Sequence, residues 1–264
     1  MKIIHHEVGR DPLYKIWHAS SSCMIIYFYT DGGSIVLQNQ IYPIEKGGLC
    51  FIRARQQHYT LPDQPEKYDR SKIYLSESVL GAILELAGED QKLHDLFRDS
   101  SAVYAQIPEE QRAAVERIYD RAEQCLAAEA DTTTFLWCLF SLMIYLRDFS
   151  SDHITNPKGH LTRAIAYINH HYAEHITLDD IVREAYISKY YLCRSFKTVV
   201  GMTVMEYLLK TRIAVAKNHL RAGALSIGEI AERCGFLSVS YFSQIFKKTT
   251  GLTPLQYRRQ CERG

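Results

Sequence analysis

The sequence predicts an α+β protein of two domains, in which a small β-barrel and several helices precede an all-helical domain. Short alternating runs of apolar and polar residues, separated by turn residues, fill roughly positions 1 to 75. After position 160, apolar residues recur at the spacing of amphipathic helices. Formal charge also differs between the two parts, which places the domain boundary between residues 155 and 156.

The charge difference is hidden in the whole chain of 264 residues, whose net charge is only +1. Residues 156–264 hold 16 Lys and Arg against 8 Asp and Glu, a balance of +8, which leaves −7 for residues 1–155. The division precedes the stretch 156–159 (NPKG), which has the composition of a linker. A basic domain joined to an acidic one predicts that the basic part meets a polyanion.

Cysteine usage and hydropathy indicate the compartment. The seven cysteines are scattered and form no CxxC pair, which fits neither a disulfide framework nor a zinc site. The start of the chain lacks the apolar stretch of a secretory signal. The most apolar run, 135–146, is well short of the ~20 residues that span a bilayer, so we expect a buried helix there. We therefore expect a cytoplasmic protein with no membrane partner.

The first domain contains six short runs typical of strands: KIIHHEV, YKIWHAS, CMIIYFYT, SIVLQNQIYPI, LCFIRA and HYTL. Turn residues at 31–33 (DGG) and 47–48 (GG) predict hairpins. Helical patterns follow at 77–98, 108–128 and 132–149, and the last two predict a helical hairpin packed on the barrel. Its remaining apolar face, within 108–149, either forms a homodimer interface or belongs to an ordinary core.

One phrase of twenty residues occurs twice in the second domain. Residues 191–210 and 241–260 align at an offset of 50, with Phe196 on Phe246 and Gly201 on Gly251. Each copy follows a short helix and a turn, which predicts two helix-turn-helix units. The first helices align at an offset of 49, so the turn near Gly235 is one residue longer in the second unit.

Capping residues predict the limits of these helices. In the first unit, Thr177 begins a helix at 178–185, Ser188 begins the second helix, and Gly201 ends it. In the second unit, Ser226, Ser238 and Gly251 have the same places. Aromatic residues are expected in the cores of the two units: Tyr191, Phe196, Phe236, Phe242 and Phe246.

A continuous helix is predicted between the two units, from Thr203 to about Arg221, because this stretch contains no Gly or Pro. Nineteen residues at 1.5 Å each span ~28 Å. Successive major grooves on one side of B-DNA lie ~34 Å apart. The helix therefore has about the length needed to hold two reading helices in neighbouring grooves.

The last hundred residues resemble the AraC/XylS family of bacterial transcriptional regulators. The resemblance rests on a pattern that agrees in order and spacing: Ser188, Tyr191, Leu192, Phe196, Lys197, Gly201, Ile230, Ala231, Gly235, Phe236, Ser238, Tyr241, Phe242, Ser243, Phe246, Lys247, Lys248, Gly251, Thr253, Pro254, Tyr257 and Arg258. It implies a seven-helix domain that sets the second helix of each unit into the major groove of promoter DNA. RNA polymerase is a further candidate partner.

The resemblance also implies which residues contact DNA. Base contacts are expected from Lys189, Tyr190, Cys193, Arg194, Val239, Ser240, Ser243 and Gln244. Arg194 suits guanine and Gln244 suits adenine, whereas Cys193 and Val239 can offer little beyond contact with a thymine methyl group, so base preference is expected to be looser there. Phosphate contacts are expected from Ser188, Lys197, Ser238, Lys247, Lys248, Arg258 and Arg259. For Thr203 and Thr253, we expect helix caps rather than phosphate ligands.

The first domain looks like the cupin-type effector domain often joined to such DNA-binding domains. A small polar effector, with sugars among the candidates, is expected on side chains that line the barrel: Trp17, His18, Tyr27, Tyr29, Arg53 and His58. Neither a metal nor another cofactor is expected, because His5 and His6 are adjacent and face opposite ways on a regular strand, and His58 has no partner two residues away.

We therefore expect a ligand-responsive regulator that is not an enzyme and has no catalytic residues. Two alternatives remain open at this point. One is an effector-independent activator whose first domain only dimerises. The other is a metal-dependent cupin enzyme with a DNA-binding tail.

Overall fold

The computed structural model describes residues 2–9, 18–37, 40–127, 132–150 and 159–262. The chain divides into two units, Met1–Asn156 and Pro157–Gly264. The predicted linker residues 156–158 and the strand-like residues 14–17 lie outside the described part. None of the helices in the described ranges combines the length and the apolar character that a bilayer crossing requires.

The described strands of the first unit form two antiparallel sheets, so the predicted small β-barrel is not closed. Their bounds are β1 (Lys2–Val8), β2 (Cys23–Phe28), β3 (Gly33–Leu37), β4 (Ile41–Pro43), β5 (Gly48–Ile52), β6 (His58–Pro62), β7 (Asp69–Leu75) and β8 (Ala102–Gln106). The larger sheet has the order β1-β7-β2-β5-β8, and the smaller one has the order β4-β3-β6.

The turns at 31–33 and 47–48 are not hairpins, which corrects the sequence prediction. Each carries the chain from one sheet to the other, from β2 to β3 and from β4 to β5. Gly33 adopts a φ of +120°, and a Cβ there would lie 2.6 Å from the Cα of Pro62. Glycine is needed at this position because the chain passes against the backbone of β6. In the sequence, a glycine needed for close packing cannot be distinguished from the glycine of a hairpin turn.

The sequence pattern does not predict two of the strands, β7 and β8. Strand β7 pairs with both β1 and β2 inside the larger sheet. Its residues 69–72 (DRSK) are polar on both faces, so the alternation that marks a strand is absent. Strand β8 pairs with β5 and lies between helices in the chain.

The larger sheet has a core on each face. The core between the sheets contains Met24, Ile26, Phe28, Ile35, Leu37, Ile44, Cys50, Ile52, Tyr68, Ala102 and Tyr104. The opposite face contributes Ile25, Tyr27, Phe51 and Ile73, which pack against the helices of this unit. The sheet is therefore covered on both sides, and its inner strands β2 and β5 are buried along their whole length.

Four helices cover this second face: α1 (Glu77–Leu86), α2 (Gln91–Asp99), α3 (Glu109–Ala127) and α4 (Thr132–Phe149). The pattern at 77–98 is thus two helices instead of one. Gly88, with a φ of +60°, lies in the break, and Asp90 caps α2 by accepting the Leu93 N–H at 3.0 Å. The predicted buried helix at 135–146 is confirmed within α4.

Seven helices occur in the described part of the second unit: α5 (Gly159–His171), α6 (Leu178–Ala185), α7 (Lys189–Val200), α8 (Val204–Ala222), α9 (Ile227–Arg233), α10 (Val239–Thr250) and α11 (Pro254–Glu262). The pairs α6–α7 and α9–α10 are the predicted helix-turn-helix units. Helix α8 has 19 residues, as predicted, and connects them.

Candidate nucleic-acid interface

The first helix-turn-helix unit is held by two side-chain caps. The Thr177 hydroxyl accepts the Asp180 N–H at 3.3 Å, and the Asp180 carboxylate accepts the Thr177 N–H at 2.9 Å. Hydrogen bonds from the Thr177 side chain and backbone lower the pKa of Asp180. Ser188 caps α7 by accepting the Tyr191 N–H at 3.3 Å, and Gly201 ends that helix at a φ of +74°. The predicted caps are confirmed.

The buried face of α7 is formed by Leu192, Phe196, Val199 and Val200. Tyr191 was expected in this core, but 51% of its surface is exposed. At 100° per residue, Tyr191 lies more than a quarter turn from the centre of the buried stripe. Its ring instead lies 5.2 Å from that of His160 on α5. Tyr191 is therefore an edge residue of the unit.

The second helix-turn-helix unit, α9 and α10, repeats the same construction. Ser226 and Glu229 form a capping box at α9, and the Ser226 N–H lowers the pKa of the Glu229 carboxyl. Ser238 caps α10 by accepting the Tyr241 N–H at 3.1 Å. Phe236, Phe242 and Phe246 are buried, as predicted.

The longer turn of the second helix-turn-helix unit lies directly against the end of α5. Gly235 has a φ of +77°, and a Cβ at this position would lie 2.7 Å from the Tyr172 carbonyl oxygen. The same carbonyl accepts a hydrogen bond from Nε of Arg212 on α8 at 2.7 Å. The Arg212 guanidinium also lies 5.8 Å from the Phe236 ring centre. These contacts hold the second helix-turn-helix unit against α5 and α8.

Helix α8 is capped at both ends. Thr203 and Glu206 form a capping box at its start, and Gly223 ends it at a φ of +73°. The Thr203 backbone N–H lowers the pKa of Glu206. Thr253 caps the start of α11 in the same way, with Gln256 as its partner. Both threonines are helix caps, as predicted.

The predicted base-contact residues form the outer faces of α7 and α10. Seven of them are exposed: Lys189, Tyr190, Cys193, Arg194, Val239, Ser240 and Gln244. Ser243 is half-buried. Lys189 has an intramolecular partner, because its ammonium group lies 2.9 Å from the Asp179 carboxylate on α6.

Six of the seven predicted phosphate contacts are exposed: Ser188, Lys197, Ser238, Lys247, Lys248 and Arg259. Arg258 is half-buried, and its guanidinium donates to the Leu225 carbonyl at 2.6 Å. This contact connects α11 to the chain that precedes α9. The other six keep their cationic or hydroxyl groups at the surface, where phosphate oxygens can reach them.

The structure separates the residues predicted to hold an effector. Trp17 lies outside the described residues. His18 and His58 pair through their backbones, with ring centres 4.3 Å apart. Tyr27 and Tyr29 share a face, as predicted, but that face packs on the helices and not on the second sheet. Arg53 donates to the Phe97 and Ser100 carbonyls at the end of α2.

Other polar side chains lie between the sheets and were missed. Arg70 and Lys72 pair with Phe28 and Ile26, which belong to the core between the sheets, so all four share one face. Thr60 pairs with Ile35 and has the same orientation. Recognising β7 in the sequence would have revealed Arg70 and Lys72, because they are two residues apart on it.

The two adjacent histidines do not face opposite ways. The pairing of β1 with β7 shifts between Ile4 and Glu7, and His6 has a φ of +48°. This bulge brings the His5 and His6 rings within 4.7 Å of each other. His5 contacts Asp120 at 2.9 Å, and His6 contacts Asp69 at 3.1 Å. Across the described ranges, no cluster of three or more His, Cys, Asp or Glu has a geometry suited to a metal ion.

Comparison with known proteins agrees with this geometry. Residues 181–260 match the family model described as a helix-turn-helix domain. The HTH-type transcriptional activator RhaR of Escherichia coli is 25% identical over 248 residues, which cover 91% of this chain and 86% of RhaR. RhaS of Salmonella schwarzengrund, also an HTH-type transcriptional activator, is 26% identical over 86% of this chain and 81% of its own.

Among solved structures, the C-terminal domain of AraT, a response regulator from Geobacillus stearothermophilus, is 36% identical. The match covers 41% of this chain and 88% of that one, with a TM-score of 0.38. The matched relatives regulate transcription and are not enzymes, which sets aside the cupin-enzyme alternative. The paired helix-turn-helix units and these relatives identify the chain as a member of the AraC/XylS family of DNA-binding transcription regulators.

Proposed function

We propose that this protein is a cytoplasmic transcription activator with an effector-binding domain at 1–155 and a DNA-binding domain at 156–264. The observation that carries the proposal is the pair of exposed, capped helices α7 and α10, connected by the 19-residue helix α8. Each helix enters one major groove of the promoter, about one helical turn apart. RNA polymerase is the second macromolecular partner of the complex.

The base and phosphate contacts follow from the exposed faces. Arg194 on α7 reads guanine and Gln244 on α10 reads adenine, because both side chains can form two hydrogen bonds with one base edge. Lys197, Lys247 and Lys248 bind phosphates, which adds affinity that falls with salt. Lys189 acts partly through Asp179, since the ion pair fixes its position beside α6.

The effector site lies between the two sheets of the cupin-like unit. His58 and Thr60 face this space from the smaller sheet, and Arg70 and Lys72 face it from the larger one. The Thr60 hydroxyl is buried and has no hydrogen-bond partner within the described ranges. Arg70 and Lys72 already pair with the Glu7 carboxylate, at 2.7 Å and 3.5 Å. The Thr60 hydroxyl suits a small polar molecule, with sugars first among the candidates.

We expect one small polar metabolite to raise the melting temperature of the full-length protein. A ligand at 100 times its Kd stabilises a folded domain by about 2.7 kcal/mol. Replacing Thr60 with Val keeps the shape and removes the hydroxyl, so the shift should shrink in that variant. Ser78→Ala, at an exposed residue of α1, is the control and should keep the shift. If no sugar or related metabolite stabilises the protein, the effector-independent activator is the better account.

The homodimer interface is the outer face of α3 and α4. A groove of about 350 Å³ lies there, lined by Arg117, Ile118, Arg121, Trp137 and Cys138 among others. Trp137 is 54% exposed and contacts Phe140 edge-on, so a large aromatic side chain remains available to a second copy. Trp137→Lys should therefore weaken self-association in sedimentation equilibrium, whereas Leu86→Lys, at an exposed residue of α1, should not. Equal association of both variants would exclude this interface.

A further inference from the structure

The two reading helices differ in the chemistry at their N-terminal ends. At the start of α7, Lys189 forms an ion pair with Asp179 of the preceding helix. The aligned positions in the second unit are Val239 and Gly228, which cannot form such a pair. The Val239 side chain lies against Gly228 instead, 3.9 Å from where a methyl group on that glycine would be. One end is therefore ionic and the other apolar.

Leu237 extends the apolar end of α10. It precedes the cap residue Ser238, and 88% of its surface is exposed. Ile187, which precedes the cap residue Ser188 in the first helix-turn-helix unit, is half-buried. Val239 is 46% exposed next to it. Covering so exposed a leucine with another apolar group removes a large apolar surface from water, which is favourable in free energy.

The position of this apolar end determines which group can cover it. The N-terminal residues of a recognition helix contact base edges in the major groove. The apolar group that DNA presents there is the C5-methyl group of thymine. Gln244, five residues after Val239 on α10, is also exposed and suits the adenine edge. Apolar contacts and an adenine reader on one helix both favour A·T pairs.

We infer that Leu237 and Val239 read thymine methyl groups, so that α10 selects an A·T half-site while α7 selects a half-site containing guanine. This inference rests on the proposed placement of α10 in the major groove. It adds Leu237, which precedes the helix, to the residues that set specificity. It also predicts an operator whose two halves differ in base composition.

Deoxyuridine tests this directly, because it lacks only the methyl group of thymine. Full-length protein is first used to select duplexes from a randomised library, and the Gln244→Ala variant identifies the half-site under α10. Replacing its thymines with deoxyuridine should weaken binding about three- to fourfold for each contacted methyl, the scale of burying one methyl group. The same replacement in the other half-site should change affinity less than twofold.

Protein variants assign the effect to Leu237. Leu237→Ala should bind the thymine duplex more weakly and lose its sensitivity to deoxyuridine, whereas Leu237→Met should retain it. Leu255→Ala removes another exposed leucine, on α11, and should leave both affinities unchanged. Equal binding of thymine and deoxyuridine duplexes by the wild type, or full discrimination by Leu237→Ala, would overturn the inference alone. If the protein selects no sequence, the proposed function fails as well.

Discussion

Replacing Gly235 with alanine is expected to destabilise the DNA-binding unit by at least about 2 kcal/mol. The backbone at this position has a φ of +77°, and a left-handed conformation costs an L-residue about 1–2 kcal/mol. The new methyl group would also lie 2.7 Å from the Tyr172 carbonyl oxygen and 2.8 Å from that of Ala173. Both atoms belong to the backbone, so the clash cannot be relieved by a side-chain rotation. The turn must move, and α10 moves with it.

Thermal unfolding of the full chain, followed by circular dichroism, measures this effect. Gly223→Ala and Gly251→Ala are matched controls, because both glycines have a similar φ but no atom within 4 Å of the added Cβ. Each control should be destabilised only by the cost of the left-handed conformation, about 1–2 kcal/mol. A domain of this size loses roughly 4–8 °C in Tm for each kcal/mol. If the Tm of Gly235→Ala equals the Tm of the two controls, the close packing of this turn does not contribute to stability.

Replacing Arg194 with alanine is expected to remove base preference in one half-site and to weaken operator binding by about 5- to 150-fold. The range corresponds to the ~1–3 kcal/mol that a bidentate contact contributes to discrimination. Arg194 is exposed on α7, and its guanidinium can match the two acceptors of guanine. Gln244→Ala should have the same kind of effect in the other half-site.

Fluorescence anisotropy with operator duplexes that carry single base changes measures both variants. Lys197→Ala is the control, since loss of a phosphate contact should weaken binding to all sequences alike and lower the salt slope by ~1. A uniform loss of affinity in Arg194→Ala, with base preference intact, would mean that Arg194 binds phosphate. Unchanged affinity would remove α7 from the interface.

The helical unit could be predicted closely because its signals are local. Thr177, Ser188, Thr203 and Ser238 each cap a helix through a residue three positions away, so the cap is visible in a few letters of sequence. The repeat of residues 191–210 at 241–260 then shows that the two helix-turn-helix units have the same construction. Tyr191 shows the limit of this reasoning, because it lies at the edge of the buried stripe of α7, where the ring of His160 on α5 is its neighbour.

The sheet unit could be predicted only in part because its contacts are distant in the chain. Strand β7 has polar residues on both faces and is recognisable only from its two neighbours. Gly33 has a close contact with β6 that sequence spacing does not reveal. The bulge at His6 likewise depends on pairing with residues more than sixty positions away. The predicted effector residues were therefore scattered, and Arg70 and Lys72 were missed.

Hydroxyl-radical footprinting of the full-length protein on a selected operator tests most directly whether both helix-turn-helix units read DNA. Two protected segments on one face of the duplex, centred ~10–10.5 base pairs apart, are the expected result. Insertion of five base pairs between them should abolish simultaneous protection, because α8 is a continuous helix with caps at both ends. A single protected segment, or two segments that tolerate the insertion, would contradict the account.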